Sequence, residues 1–173
     1  MSGWVRIFAY GSNMLTARME DRVDRVNVVT TGMVYGHRLQ FHKRSRDGSG
    51  KANAFPSGDP LDCVWGVIYE LSGDQHRILD HYESLGVGYE HATVVASTAK
   101  GEVETCMYVA REEFIDDSLR PYQWYHDFVV HGADQHALPT DYQERLRAFR
   151  AIADPERERA ERNRKLLWLP REP

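Results

Sequence analysis

The stretch Phe8-Ala9-Tyr10-Gly11-Ser12-Asn13-Met14 marks the point where the chain must change direction. The residues that lead into it, from Trp4 to Tyr10, are rich in aromatic and branched side chains, which favours a β-strand. The small and polar residues that follow break the strand, and residues 14–21 are compatible with a helix for which Asn13 is the expected N-cap. The pattern predicts a strand, a tight turn and a helix, with the first backbone N–H groups of the turn free to hold an anion.

Working outward, we predict further strands over Thr31–Phe41 and Val64–Leu71, because both segments are rich in strand-forming residues. Between them, residues 43–60 are polar and contain glycine, which is typical of a mobile loop. Two more strands, Tyr89–Thr98 and Glu102–Arg111, flank a three-residue connection and are expected to form a hairpin.

Helices are predicted mainly in the second half of the chain. Ser72 and Gln75 form a capping-box pattern that opens a short helix ending at Glu83, and Thr140 and Gln143 repeat that pattern. A helix is also expected from Pro121 to Val130, with Gly132 placed to end it, and another after Asp154-Pro155. Strands followed by helices predict an α+β fold with a curved, mostly antiparallel, barrel-like sheet and surrounding helices. We expect a single domain over residues 1–173, with residues 140–173 a C-terminal helical extension packed on it.

Composition excludes several classes of function. The net charge of −4 offers no global positive field for nucleic acid, and no window approaches the roughly 20 apolar residues of a membrane span. Cys63 and Cys106 lack CxxC spacing, which suits a reducing cytoplasm and gives no thiolate metal motif. The eight histidines show no HExxH or similar spacing, so no metal site is expected.

Three segments, FAYGSNM at residues 8–14, VWGVIYEL at 64–71 and LDHYES at 79–84, resemble the gamma-glutamylcyclotransferase family (AIG2-like superfamily) in order and spacing. Tyr125 and GADQHALPTDYQERL at residues 132–146 resemble its C-terminal helical segment. The resemblance implies a small curved sheet with helices around a cavity, and an enzyme that converts a γ-glutamyl amino acid or γ-glutamyl amine into 5-oxoproline and a free amine. It implies no cofactor, admits a homodimer, and leaves biosynthetic and glutathione-related roles open.

The same resemblance implies the site residues. The acid/base role falls on Glu83, Tyr125 is the carried-over binding tyrosine, and the γ-glutamyl moiety is expected at Ile7, Phe8, Ala9, Tyr10, Gly11 and Ser12, supported by Asn13. One carboxylate can take a proton from the substrate α-amine and return one to the leaving nitrogen. The N–H groups of Gly11 and Ser12 would meet either the developing oxyanion or the substrate α-carboxylate. The family commonly has glycine directly after its glutamate, where this chain has Ser84.

Three points stay open from the sequence. Tyr89, Tyr108 and Tyr122 either line the cavity or belong to the core, since a buried tyrosine is often a core residue with one satisfied hydroxyl. A non-catalytic module of the same fold that binds a small carboxylate is the main alternative to the enzyme. A thiol amidohydrolase with Cys63 as nucleophile and a histidine partner is a third hypothesis.

Overall fold

The computed structural model describes residues 3–168, so the expected extension over residues 140–173 is described only to residue 168. The described chain contains seven strands and five α-helices, besides short 3-10 turns. In chain order these are β1 Trp4–Ala9, α1 Thr16–Val23, β2 Asn27–Tyr35, β3 His37–Arg44, β4 Gly50–Pro56, β5 Cys63–Ser72, α2 Gly73–Tyr82, β6 Tyr89–Thr98, β7 Gly101–Ala110, α3 Gln123–Gln135, α4 Thr140–Arg147 and α5 Arg157–Arg164.

Five of the strands form a closed barrel in the order β1-β5-β2-β6-β7. Neighbouring strands run antiparallel, except where β1 meets β7 in parallel at Ile7 and Cys106 to close the barrel. Strand β5 pairs with both β1 and β2, and its Val64, Val67 and Ile68 have no exposed surface. The continuous apolar run of β5 therefore marks a strand buried on both faces, and the α+β, mostly antiparallel, barrel-like fold is confirmed.

The segment expected to be a mobile loop instead contains most of a two-stranded sheet. The strand predicted over Thr31–Phe41 is two strands, because Gly36 adopts a φ of +71° between β2 and β3. Strand β4 then pairs antiparallel with β3. Polarity misled the prediction, because Asn53 is buried with its amide between His42 (3.0 Å) and the backbone N–H of Ala110 (2.8 Å). Hydrogen bonding lets a polar side chain enter a core.

The capping predictions have mixed outcomes. Ser72 and Gln75 form the expected capping box, and Glu83 is the residue that ends α2, as predicted. Asn13 is not the N-cap of α1, because a 3-10 turn intervenes and the helix begins after Leu15. The second box is also wrong: α4 begins after Pro139 without a side-chain cap.

Helix α3 runs past Gly132 to Gln135, so that glycine does not end it. Its role is packing, since a Cβ at Gly132 would lie 2.5 Å from the backbone nitrogen of Leu15. The missing side chain lets α3 lie directly against the turn that follows β1. Within residues 3–168, no helix combines the length and the apolar character needed to cross a membrane.

Candidate active site

A cavity of about 590 Å³ opens between the end of β1, helix α1, the β3–β4 turn and the end of α2. Glu83 and Tyr125 line it, and so does every residue of the predicted turn segment Ile7–Asn13. Residues that are about 70 and 115 positions apart in sequence are therefore brought to one place by the fold.

Glu83 is held at the end of α2 by two side chains from the first helical region. The Nδ2 of Asn13 donates to its Oε1 at 2.9 Å, and the Nη1 of Arg22 forms an ion pair with the same oxygen. The Glu83 side chain is 15% exposed and that of Arg22 is 11% exposed. Both contacts fall on Oε1, so neither of them occupies the other carboxylate oxygen.

The turn after β1 lines the cavity with two residues whose backbone N–H groups make no hydrogen bond within the described chain. The amide of Met14 donates to the carbonyl of Gly11 at 3.0 Å, which folds the turn back on itself. Among residues 3–168, nothing accepts a hydrogen bond from the N–H groups of Gly11 and Ser12. A Cβ at Gly11 would lie 3.0 Å from the Cβ of Ala52, so glycine here allows β4 to approach the turn. The turn therefore offers two adjacent N–H donors.

Three polar atoms near the turn are buried and lack a hydrogen-bond partner within the described chain: Oδ1 of Asn13 and the Nε atoms of Arg18 and Arg22. A buried, unpaired polar atom costs about 1–3 kcal/mol, so native structures rarely keep several together without a reason. Their concentration at this cavity is typical of a site arranged for a polar ligand.

Two tyrosines fix strand β4 against the turn. The hydroxyl of Tyr125 accepts from the backbone N–H of Ala52 at 3.1 Å, and the hydroxyl of Tyr89 donates to the carbonyl of the same residue at 2.8 Å. Burial raises the pKa of both tyrosines, so each hydroxyl stays protonated at neutral pH. Tyr89 and Tyr125 are therefore uncharged residues that line the cavity and hold Ala52 of β4 in place.

Tyr10 and Tyr108 line the cavity, whereas Tyr122 does not. Tyr10 donates its hydroxyl to the backbone carbonyl of Tyr108, and both residues line the cavity. Tyr122 is not among the lining residues, and its hydroxyl donates to the carbonyl of Asp47 at 2.8 Å. Tyr122 therefore stabilises the β3–β4 turn without contributing to the cavity lining. Cys63 also lies outside the lining residues, so the cavity gives no support to the thiol hypothesis.

The cavity is strongly basic although the whole chain is acidic. Its lining contains two carboxylates, Asp47 and Glu83, against six cationic side chains: Arg18, Arg22, Lys43, Arg44, Arg46 and Lys51. Sequence reasoning missed these cations. The only sequence signal was the i, i+4 spacing of Arg18 and Arg22, which places both on one face of α1. The arrangement favours an anionic ligand.

The two lysines among these cations are held against aromatic rings. Lys43 Nζ lies 4.6 Å from the centre of the Tyr89 ring, and Lys51 Nζ lies 4.6 Å from that of Tyr125 and 2.7 Å from a carboxylate oxygen of Asp47. Burial lowers the pKa of Lys43, and it lowers that of Lys51 to about 8 despite the opposing Asp47. Both charges are therefore poorly hydrated, which strengthens their attraction for an anion.

Ser84, directly after Glu83, has a φ of +53°. This is the left-handed region, where a residue with a side chain is strained and glycine is not. A serine at this position therefore carries a cost in backbone energy that glycine would not.

The comparisons with known proteins agree with this geometry. The AIG2-like family matches residues 63–146. Gamma-glutamylcyclotransferase from Homo sapiens is 31% identical over 148 residues, covering 82% of this chain and 77% of that protein, and the Bos taurus protein of the same name is 30% identical with the same coverage. A solved structure named gamma-glutamyl cyclotransferase superposes with a TM-score of 0.83 at 26% identity, covering 94% of this chain and 99% of the other.

Proposed function

This chain belongs to the gamma-glutamylcyclotransferase family, and on that premise we propose that it is an enzyme that converts a γ-glutamyl amide into 5-oxoproline and a free amine. The observation that carries the proposal is the Asn13–Glu83 hydrogen bond. This bond connects Glu83, a cavity-lining carboxylate at the end of α2, to the turn of Gly11 and Ser12, whose N–H groups have no acceptor among residues 3–168.

Glu83 is the proton carrier in this proposal. Its carboxylate takes a proton from the substrate α-amine, whose nitrogen lone pair then attacks the γ-carbonyl carbon of the same molecule. The tetrahedral intermediate collapses when the C–N bond to the leaving amine breaks and the protonated Glu83 returns its proton to that nitrogen. Glu83 then carries the second proton of the new ring nitrogen to the released amine, which departs as an ammonium ion. The ring closes, the base is regenerated, and no further reactant is consumed.

The N–H groups of Gly11 and Ser12 are assigned to the oxyanion. Either this oxygen or the substrate α-carboxylate would suit them, but the cavity already supplies cationic side chains for carboxylates. Two rigid backbone donors next to Glu83 are better matched to an oxygen that becomes negative only during the reaction. A donor of this kind contributes about 3 kcal/mol in comparable sites.

The excess of cations favours a leaving amine that carries its own carboxylate. A γ-glutamyl amino acid brings two carboxylates to the cavity, whereas a simple γ-glutamyl amine brings one. The basic lining thus supports an amino acid or peptide leaving group, and with it a role in the turnover of glutathione-type compounds. A cytoplasmic location is part of this proposal, supported by the two unpaired thiols. The homodimer stays a prediction.

The reaction is tested by release of 5-oxoproline, measured by mass spectrometry, from γ-glutamyl amino acids, glutathione and γ-glutamyl amines. Wild-type protein is expected to release it, and Glu83→Gln to lose at least about 1,000-fold in kcat while still binding 5-oxoproline in calorimetry. Glu90→Gln is the matched control, because Glu90 is exposed on β6 and outside the cavity. Binding of 5-oxoproline by wild-type protein without turnover of any substrate would instead establish the non-catalytic binding module.

The leaving-group assignment is tested with γ-glutamyl-alanine and γ-glutamyl-alaninamide, which differ only in the carboxylate. The neutral amide is expected to show a kcat/KM lower by about 10-fold, because one charge-assisted contact is lost. Lys43→Met should reduce this discrimination, whereas Lys100→Met, in the exposed β6–β7 turn, should not. Equal kcat/KM values for the two substrates would refute the assignment without affecting the proposed reaction.

A further inference from the structure

A second cluster of reactive side chains joins helix α2 to strands β6 and β7 of the barrel. His76 of α2, His91 of β6 and Cys106 of β7 place one ligand atom each within 4.8 Å of one another. The two imidazole rings are stacked with their centres 5.0 Å apart. The strand register explains the arrangement, because Cys106 faces Thr93 and therefore shares a sheet face with His91. None of these three residues lines the active-site cavity.

Asp80, one turn further along α2, lies beside the two histidines of the cluster. Its Oδ1 lies 2.8 Å from the Nε2 of His91 and 3.5 Å from the Nε2 of His76. The same oxygen accepts a hydrogen bond from the hydroxyl of Tyr108 at 2.6 Å. The Nε2 of His76 is buried and has no hydrogen-bond partner among residues 3–168. An unpaired imidazole nitrogen is therefore aimed at a carboxylate, a second imidazole and a thiol.

We propose that His76, Asp80, His91 and Cys106 bind one Zn²⁺ ion per chain. Two imidazoles, a thiolate and a carboxylate form a set that suits a four-coordinate zinc site. The Tyr108 hydroxyl would hold the Asp80 carboxylate in the way that outer hydrogen-bond donors orient metal ligands. A zinc ion needs Zn–N and Zn–S distances of about 2.0–2.3 Å, so the three ligand atoms that lie within 4.8 Å of one another would draw closer around it.

In the metal-free chain His76 is neutral and Cys106 is a protonated thiol, so zinc binding would release the thiol proton. Burial lowers the pKa of His76, so its ring is neutral at pH 7, as a ligand must be. Burial, together with Asp80, raises the pKa of the Cys106 thiol to about 11. Binding of Zn²⁺ would displace the thiol proton to solvent, and the cation would replace the Asp80–His91 hydrogen bond.

Zinc bound at this site would stabilise the folded chain, whether or not the enzyme is turning over substrate. A bound ion would link α2 to β6 and β7. Because Glu83 is the residue that ends α2, this link would also restrict movement of the Glu83 backbone. Anything that binds the folded chain and not the unfolded one raises its stability. Spacing within one segment could not reveal this cluster, because its members come from three separate elements.

The test starts from protein dialysed against EDTA and then titrated with Zn²⁺ in a calorimeter and with Co²⁺ in a spectrophotometer. We expect one ion per chain, a thiolate-to-Co²⁺ charge-transfer band, and a higher melting temperature with Zn²⁺ than without it. The charge-transfer band reports the sulfur ligand directly, independently of any effect on activity.

Variants identify the ligands. His91→Ala and Cys106→Ser should each weaken Zn²⁺ binding at least about 10-fold, the loss typical of an altered metal site. His131→Ala, on the exposed face of α3, and Cys63→Ser, on β5, are the matched controls and should bind as wild type does. Because the His91 side chain is 34% exposed and lies outside the hydrophobic core, its replacement is not expected to prevent folding. Absence of Zn²⁺ binding, a Co²⁺ spectrum without the thiolate band, or equal losses in the controls would overturn the proposal.

Discussion

Replacing Arg22 with methionine removes the positive charge from Glu83 while keeping most of the aliphatic stem. Breaking a buried ion pair in this way costs about 3–5 kcal/mol, because the remaining charge stays buried without a partner. Arg22 and Glu83 retain 11% and 15% exposure and lie at the edge of an open cavity. Water can therefore reach part of the carboxylate, and we reduce the expected loss of unfolding free energy to about 2–3 kcal/mol.

The assay is urea unfolding at pH 7, with the midpoint compared at constant slope. The double variant Arg22→Met with Glu83→Gln should recover at least about 1 kcal/mol relative to additivity, because a neutral amide needs no counter-ion. Arg25→Met is the matched control, since Arg25 is exposed just beyond α1. A loss below about 0.5 kcal/mol in Arg22→Met, or a double variant whose losses simply add, would show that the ion pair does not hold Glu83 in place.

Three further predictions concern stability and pH. Ser84→Gly should raise the free energy of unfolding by about 0.5–1 kcal/mol, because glycine adopts the positive φ without strain. Ser84→Ala keeps the strain and should give no such gain. Equal effects of the two variants in thermal melts would contradict this prediction. Lys51 should lose its charge as the pH rises through about 8, so that KM for anionic substrates increases above that pH in wild-type protein and not in Lys51→Met; parallel pH profiles would refute it. Gly132→Ala should cost at least about 2 kcal/mol, because its Cβ would collide with the backbone of Leu15; a wild-type midpoint in urea would show that the turn yields easily.

The same Lys51 also has a defined effect on stability. Its pKa in the folded chain, about 8, is below the value of 10.5 in the unfolded chain, so the folded state binds fewer protons between those values. Burying the charged form therefore costs stability below pH 8. That cost should disappear as the pH rises toward 10.5, as measured by urea midpoints across this range.

Much of the fold was readable from local patterns. The strand before Gly11, the apolar run of β5, the capping box at Ser72 and the β6–β7 hairpin each rest on residues that lie close together in sequence. The loop predicted over residues 43–60 was wrong for a physical reason. Lys51 and Asn53 look like loop residues because they are polar, but an ion pair and hydrogen bonds formed across the fold allow both to be buried.

Some features of the candidate site were likewise determined by local sequence, and others only by the tertiary structure. The sequence by itself determined that β1 ends in a turn with a glycine, that α2 ends at Glu83, and that these segments resemble those of one enzyme family. Only the tertiary structure decided that Asn13 holds Glu83 instead of capping a helix, that Arg22 pairs with it, and that six cations surround the cavity of an acidic chain. The physical reason is that strand and cap preferences act over a few neighbouring residues, whereas burial and charge pairing depend on what the closed barrel brings into contact.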